Sequence, residues 1–318
     1  MQKDHLLPYG AGLLTAVIFG FSFMFTKITL PAFGGDVFHL LSYRFLLAAG
    51  VMGVLRVLGV IRPRYRGKPV GQLFLIGLIQ PVLYFTCETL GLRLVPSSQA
   101  GLMIALIPVV VTILGAVFLR ERPTWLQVLF VLISVGGVAA IHLSGGLTGG
   151  ADFWGTVLLG GAILSAAVYN ILSRRASLAF QPVAVTWLML NTGAVAFTLI
   201  TWIRIAVAGG HWQAYFSPLG DLTGMLALCY LSVLSTVAAF FLLNYTLSKL
   251  EAARSAVMAN ITTLVSVAAG VLILSEPFGW FHAVGSVMII AGVWGVNRFH
   301  RRPLSPEEAV PQPEAPLS

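Results

Sequence analysis

Long apolar runs alternate with short polar breaks along nearly the whole chain. Stretches such as LFLIGLIQPVLYFTCETLGL run past the roughly 18 apolar residues that mark a membrane-spanning helix. The pattern predicts ten spans, at roughly 8–30, 37–58, 70–92, 97–119, 124–143, 153–174, 182–206, 222–247, 252–274 and 279–298. Helices are required because lipid leaves open backbone groups without partners, and a barrel would show period-two segments instead. The expected fold class is an all-α polytopic membrane protein with ten transmembrane helices.

Composition agrees. The 318 residues are 58% hydrophobic and 9% charged, against roughly 25% charged in a soluble domain. The lipid bilayer is therefore an expected partner. The net charge of +8 is not read as nucleic-acid binding, because the basic residues cluster in short breaks at alternate span ends. Lys3, the Arg56–Lys68 loop, Arg120, Arg122, Arg174, Arg175, Lys249, Arg254 and the Arg298–Arg302 group fall on one side. Only Arg93 and Arg204 fall at the other ends, and Lys27 and Arg44 fall within spans. This asymmetry places both termini in the cytoplasm of a cell-membrane protein. MQKDHLLPYG leads into the first span without a small-residue cleavage site, so that span is expected to be retained. The tail at 299–318 is Pro-rich and polar and is expected to be disordered.

A shift of 155 residues lays LRERPTW (119–125) on LSEPFGW (274–280), matching Glu121 with Glu276 and Trp125 with Trp280. The same shift matches Met103 with Met258 and Gly137 with Gly292. Each half then holds five spans. Five is odd, so the second half enters the membrane the other way up, as in alternating-access transporters with a midplane site. The expected organisation is a first repeat at 1–143, a Gly-rich loop at 144–152 and a second repeat at 153–298. SGGLTGGAD in that loop lacks the GK[ST] of a phosphate loop,.

SYRFLLAAG in the second span, LGLRLVPSSQAGLMIALIPVVVTILGAVFLRERPTW, and YTLSKLEAARSAVMANITTLVSVAAGVLILSEPFGW together resemble EamA-type members of the drug/metabolite transporter superfamily. The resemblance covers roughly 10–298. It implies two inverted five-helix repeats around a central cavity, lined largely by helices 3, 4, 8 and 9 with parts of 1 and 6. It implies transport of small metabolites, amino acids or drugs, often export. It supplies no universal catalytic residue.

Polar residues inside the spans locate the chemistry, because a charge at mid-bilayer costs roughly 2.5–3.5 kcal/mol on insertion scales. Lys27, Arg44 and Glu88 are the ionisable residues clearly within spans. Glu88 is expected to pair with Arg44 or Lys27 along the pathway. The plainer alternative has Lys27 snorkelling to the headgroups and Arg44 holding backbone carbonyls. Gln80, Tyr84 and Glu88 recur at i, i+4 and i+8 and share one face of a helix,. Pro81 and Pro108 interrupt their helices near mid-depth. Asn260 and Thr263, and Trp187 with Asn191, are further deep candidates for substrate contact. Each has an interhelical hydrogen bond or plain packing as its ordinary explanation.

These features point to a secondary transporter, with a small-molecule substrate and the lipid bilayer as expected partners. A proton or counter-solute is a candidate for driving it. Glu88 is the one acid well placed to carry a proton, while exchange or facilitated passage fits equally. A nucleotide-sugar or other organic-anion exchanger is the alternative within the superfamily, and would call for several converging cations. A membrane-embedded enzyme would need paired carboxylates, a His cluster or Ser with His at depth. The six histidines lie at or near span ends without metal spacing, and no cofactor or metal is expected,. Glu121 and Glu276, each at a span end beside a proline or arginine, read as solvated ends rather than substrate ligands.

Overall fold

The computed structural model describes residues 3–65, 70–118, 124–143, 151–209, 212–250 and 259–299. Every regular element among them is helical. In chain order we label α1 Lys3–Thr29, α2 Val37–Val57, α3 Gly71–Leu94, α4 Ser97–Ile104 continuing as Ile107–Phe118, and α5 Trp125–Leu143. There follow α6 Ala151–Ala176, α7 Pro182–Val207, α8 Leu222–Lys249, α9 Ala259–Leu272 and α10 Trp280–Arg298. Seven helices are long and apolar enough to cross a membrane, and Trp125–Ile141, Ile261–Leu272 and Trp280–Val296 are shorter apolar ones. The molecule is thus a multi-pass helical membrane protein. Glu121, the start expected for the ninth span, most of the expected Gly-rich loop and the expected tail beyond residue 299 fall outside the described residues.

Local chemistry sets the helix ends. The Asp36 carboxylate accepts from the N–H groups of Phe38 (3.0 Å) and His39 (3.3 Å) and caps α2,. Asp221 caps α8 in the same way through Gly224 N–H. Pro182 opens α7, where its missing N–H costs nothing,.

Two helices are irregular where proline removes a backbone donor. Around Pro81, Leu78–Leu83 of α3 winds as a π-helix,. In α4 the helix breaks at Ala105–Leu106, just before Pro108,. A second π-helical stretch, Tyr230–Ala238, lies in α8. It has no proline.

Small residues bring the helices together, since in lipid packing replaces the hydrophobic drive. A Cβ on Gly20 of α1 would sit 2.5 Å from Val265 Cβ of α9. Gly77 of α3 lies against Thr192 of α7, and Gly193 of α7 against Phe45 and Pro81. Between α5 and α10, Gly137 abuts Gly285 and Ile289, while Gly292 abuts Phe130 and Ser134. As numbers rise on one helix they fall on the other, so α5 and α10 run antiparallel.

Candidate functional site

The helices line a central, partly open cavity of about 90 Å³. Its walls come from α1, α2, α3, α4, α6, α8 and α9. Phe19, Phe23, Phe85, Phe240, Ile104, Ile107 and Leu243 make it largely apolar. Polar atoms enter at Thr15, Ser22, Arg44, Gln80, Tyr84, Glu88, Tyr169, Asn170 and Thr262.

Arg44 is the central feature. It is 1% exposed. Its Nε–H donates to Thr236 Oγ1 at 2.9 Å and its Nη2–H to Ser235 Oγ at 3.0 Å. Both acceptors lie in the π-helical stretch of α8, where Thr236 Oγ1 itself donates to the carbonyl five residues back, Leu231 O. The guanidinium carbon lies 4.4 Å from the centre of the Phe85 ring, a cation–π contact that strengthens away from water. Nη1 has no hydrogen-bond partner.

Glu88 and Gln80 are each 4% exposed. Tyr84 O–H donates to Glu88 Oε1 at 3.0 Å. Gln80 Oε1 has no hydrogen-bond partner. The stripe Gln80–Tyr84–Glu88 therefore faces the cavity, as its spacing predicts. Glu88 and Arg44 interact through their charges without reaching ion-pair distance. Among the described residues the one ion pair is Arg204–Asp36, at 2.8 Å on the surface. The expected pairing of Glu88 with Arg44 or Lys27 takes the form of Glu88 and Arg44 lining one cavity within electrostatic range but without an ion-pair contact, while two of Arg44's donors go to hydroxyls of α8.

Other expected site residues lie elsewhere. Thr263 is fully buried and donates to Gly101 O at 2.8 Å, joining α9 to α4. Its neighbour Thr262 lines the cavity instead. Asn191 donates to Trp187 O within its own helix, and Arg56 stacks over the Trp187 ring at 4.9 Å. Neither Trp187 nor Asn191 is in the cavity wall. Lys27 is half-buried on α1, away from the wall and within electrostatic range of Glu276. The side chain of Asn260 lies outside the described residues.

At the N-terminal side of the cavity a polar network fixes three helices. Tyr169 O–H and Ser173 O–H donate to Asn244 Oδ1 at 2.8 and 2.7 Å, and Asn244 Nδ2 donates to Thr186 Oγ1 at 2.9 Å. Asn244 bonds to three protein groups, so it holds α6, α7 and α8 together.

At the opposite side, α4 and α9 close on each other. Thr263 bonds Gly101 O, Ser266 Oγ donates to Ser97 O at 2.9 Å, and Glu276 receives the start of α4. Glu276 Oε1 accepts from Ser97 N–H (2.7 Å) and Ser97 Oγ (2.8 Å), and Oε2 from Ser98 N–H (2.8 Å). Burial pushes this carboxyl up, but the donors of Ser98 and Ser97 outweigh burial and hold it below the ordinary carboxylate range. Glu276 is half-exposed, yet it is more than the solvated span end that its place in the sequence suggests. It caps a helix 179 residues away in the chain,. The signal was in SS at 97–98, two residues at a helix start whose N–H groups need an acceptor.

Fold and cavity define a polytopic helical membrane protein with a partly polar, mostly apolar-walled chamber at its centre. The chain belongs to the EamA-like transporter family, whose sequence profile matches residues 6–143 and again 153–298. It is 36% identical over 299 residues to the uncharacterized transporter YcxC of Bacillus subtilis (strain 168), covering 93% of this chain and 95% of that one. It is 26% identical to an uncharacterized transporter of Archaeoglobus fulgidus, over 90% of this chain and 96% of that one. It is 27% identical to the "Probable terminal-alkyne amino-acid exporter" of Streptantibioticus cattleyicolor, over 90% of this chain and 92% of that one. A crystal structure at 17% identity superposes with a TM-score of 0.59 over 90% of this chain and 94% of that one, which establishes the shared fold.

Proposed function

We propose that this protein is a secondary transporter of small amphipathic solutes that carry a carboxylate, with amino-acid-like zwitterions foremost. Alternating access between two inverted five-helix repeats moves the solute, and export is the working direction. The observation that carries the reading is Arg44: a buried cation on an apolar-walled cavity, with Nη1 lacking any partner. A buried charge needs compensation. A solute carboxylate would supply it, by the charge-assisted bonds arginine forms best. Glu88 and Gln80 Oε1, on the facing stripe, suit an ammonium group. The aromatic and aliphatic walls suit a hydrocarbon side chain. The amino-acid exporter among the relatives agrees with this choice.

Several observations support the inverted repeats. The two profile matches divide the chain in half. Under the 155-residue shift, lining residues fall on lining residues: Thr15 on Asn170, Phe85 on Phe240, Glu88 on Leu243, Ile107 on Thr262. The π-helical stretch of α3 falls within that of α8. The α5–α10 contacts are reciprocal under the same shift, since Gly137 maps to Gly292, Phe130 to Gly285 and Ser134 to Ile289. Reciprocal contacts between antiparallel helices are what a two-fold axis in the membrane plane produces. We take ten spans with both termini on the cytoplasmic side of the cell membrane, from the distribution of basic residues.

Uptake and efflux in proteoliposomes, with a panel of amino acids, their decarboxylated amines and their esters, test the reading. Free acids should be moved and the amines and esters rejected. Equal handling of all three would overturn the role of Arg44. A pH gradient separates coupling from exchange, because Glu88→Gln removes proton dependence only where Glu88 carries the proton.

A further inference from the structure

We propose that Glu276 is the latch of a gate, and that its grip on the start of α4 seals the cavity from the face opposite the N-terminus. The geometry that points to this is the order of contacts along two antiparallel helices. On α4 the cavity wall is made by Ile104 and Ile107, and residues 97–101 lie beyond it toward the opposite face. On α9 the wall is made by Thr262, and the rest of α9 with the chain that follows it to Glu276 lies beyond that wall. The segments beyond are bonded rung by rung: Thr263 to Gly101, Ser266 to Ser97, and Glu276 to Ser97 and Ser98. Gly101 lies so close to Ser266 that a Cβ would collide with it. The sealed segment thus stands between the chamber and that face.

Of the three rungs, the last is the strong one. The first two are single bonds between a hydroxyl and a carbonyl. Glu276 instead receives two N–H groups and one hydroxyl on an ionised carboxylate, at the positive end of a helix. It also lies at the C-terminal end of the seal, where parting of α4 and α9 would begin. Gly270 leaves the room the carboxylate occupies, since a Cβ there would meet Glu276 Oε2 and Ser97 Oγ. Lys27 of α1 adds a cation within electrostatic range. Glu276 contacts no cavity atom, so it acts on transport by positioning α4 and not by touching solute.

The proposal rests on the transporter reading above, but its test uses no solute, so the two can fail separately. A background with Cys87→Ser and Cys229→Ser receives one cysteine in the cavity wall, Ser22→Cys. The orientation of the protein in the vesicles is read on a separate variant that carries Leu222→Cys alone, an exposed position at the opposite face. A membrane-impermeant maleimide is then added from each face in turn. With Glu276 present, Ser22→Cys should be labelled slowly from the opposite face. Glu276→Ala should speed labelling from that face at least tenfold, with labelling from the N-terminal face unchanged or slower. Glu276→Gln, which keeps shape and one acceptor, should fall between. Where Glu276→Ala does not yield folded protein, Glu276→Gln and Ser97→Ala carry the same comparison. An unchanged rate from the opposite face in folded variants would overturn the proposal. So would equal acceleration from both faces, which would mean general loosening. Faster labelling from the opposite face alone, in a protein that moves no solute, would leave the latch standing and sink the transport reading.

Discussion

Arg44 and Asn244 are both buried and both hydrogen-bonded across helices, yet their roles differ in what remains unused. Asn244 has its oxygen and its amide engaged by Tyr169, Ser173 and Thr186. Asn244→Ala leaves these hydroxyls without their shared partner in a dry interior, which costs about 1–3 kcal/mol. The expected result is a lowered Tm in detergent with solute affinity little changed in the protein that remains folded. Arg44 keeps Nη1 unused. Arg44→Lys retains charge but loses the planar fork, and binding of a carboxylate solute should weaken about 10- to 100-fold, the equivalent of one or two lost charged bonds. Equilibrium binding of radiolabelled solute checks this. Glu276 gives a pH prediction. Its folded value lies below its ordinary 4.5, so its contribution is present above that value and is lost as pH falls through the folded one. Thermal unfolding between about pH 7 and pH 3 should show the native protein losing its advantage over Glu276→Gln only at the acid end. Some residues were legible and others were not, for a geometric reason. Gln80, Tyr84 and Glu88 share a helix face by spacing alone. Thr262 and Thr263 are one position and about 100° apart on a helix, and both sit in an apolar run that gives no rotational mark.

The same contrast holds for whole helices. The positions of the described helices agree with the alternation of apolar and polar runs, because lipid enforces length. Which helices touch is not written in apolar periodicity, since all-round hydrophobic segments have no obvious inner face. Glycine carried part of that information. Gly137 faces α10 so closely that a Cβ would lie 2.7 Å from Gly285 O and 2.9 Å from Ile289 Cγ1. Gly137→Val should force α5 and α10 apart and cost about 1–3 kcal/mol by overpacking. Gly160 of α6 has nothing within 4 Å of its would-be Cβ. Gly160→Ala should be neutral or stabilise by up to about 1 kcal/mol through helix propensity. Paired Tm measurements distinguish a packing glycine from an incidental one, and equal effects would refute the contact assignment. The helix-to-helix grip of Glu276 was hidden for another reason. A carboxylate beside a proline at a span end looks solvated until the fold brings the start of α4 to it.

For the molecule as a whole, the proposed inversion makes a direct prediction about sidedness. With an even number of spans and both ends on one side, cysteines introduced at Lys3 and at Arg301 should react with an impermeant reagent from the same side of the membrane. Labelling from opposite sides would require an odd number of crossings. The chamber at the centre carries a further consequence, kinetic in nature. Arg44 is buried with no carboxylate at ion-pair distance and one donor group idle. In the empty state of the proposed carrier that cation has only the more distant Glu88 charge and the Phe85 ring to compensate it wherever the protein must pass through a closed intermediate,. In the proposed loaded state a solute carboxylate would neutralise it. The empty return step should therefore be the slow one. Net movement needs that step in every cycle, whereas one-for-one exchange bypasses it. Labelled solute inside vesicles should leave faster when unlabelled solute is supplied outside than when the outside is bare, and this trans-stimulation should vanish in Arg44→Gln.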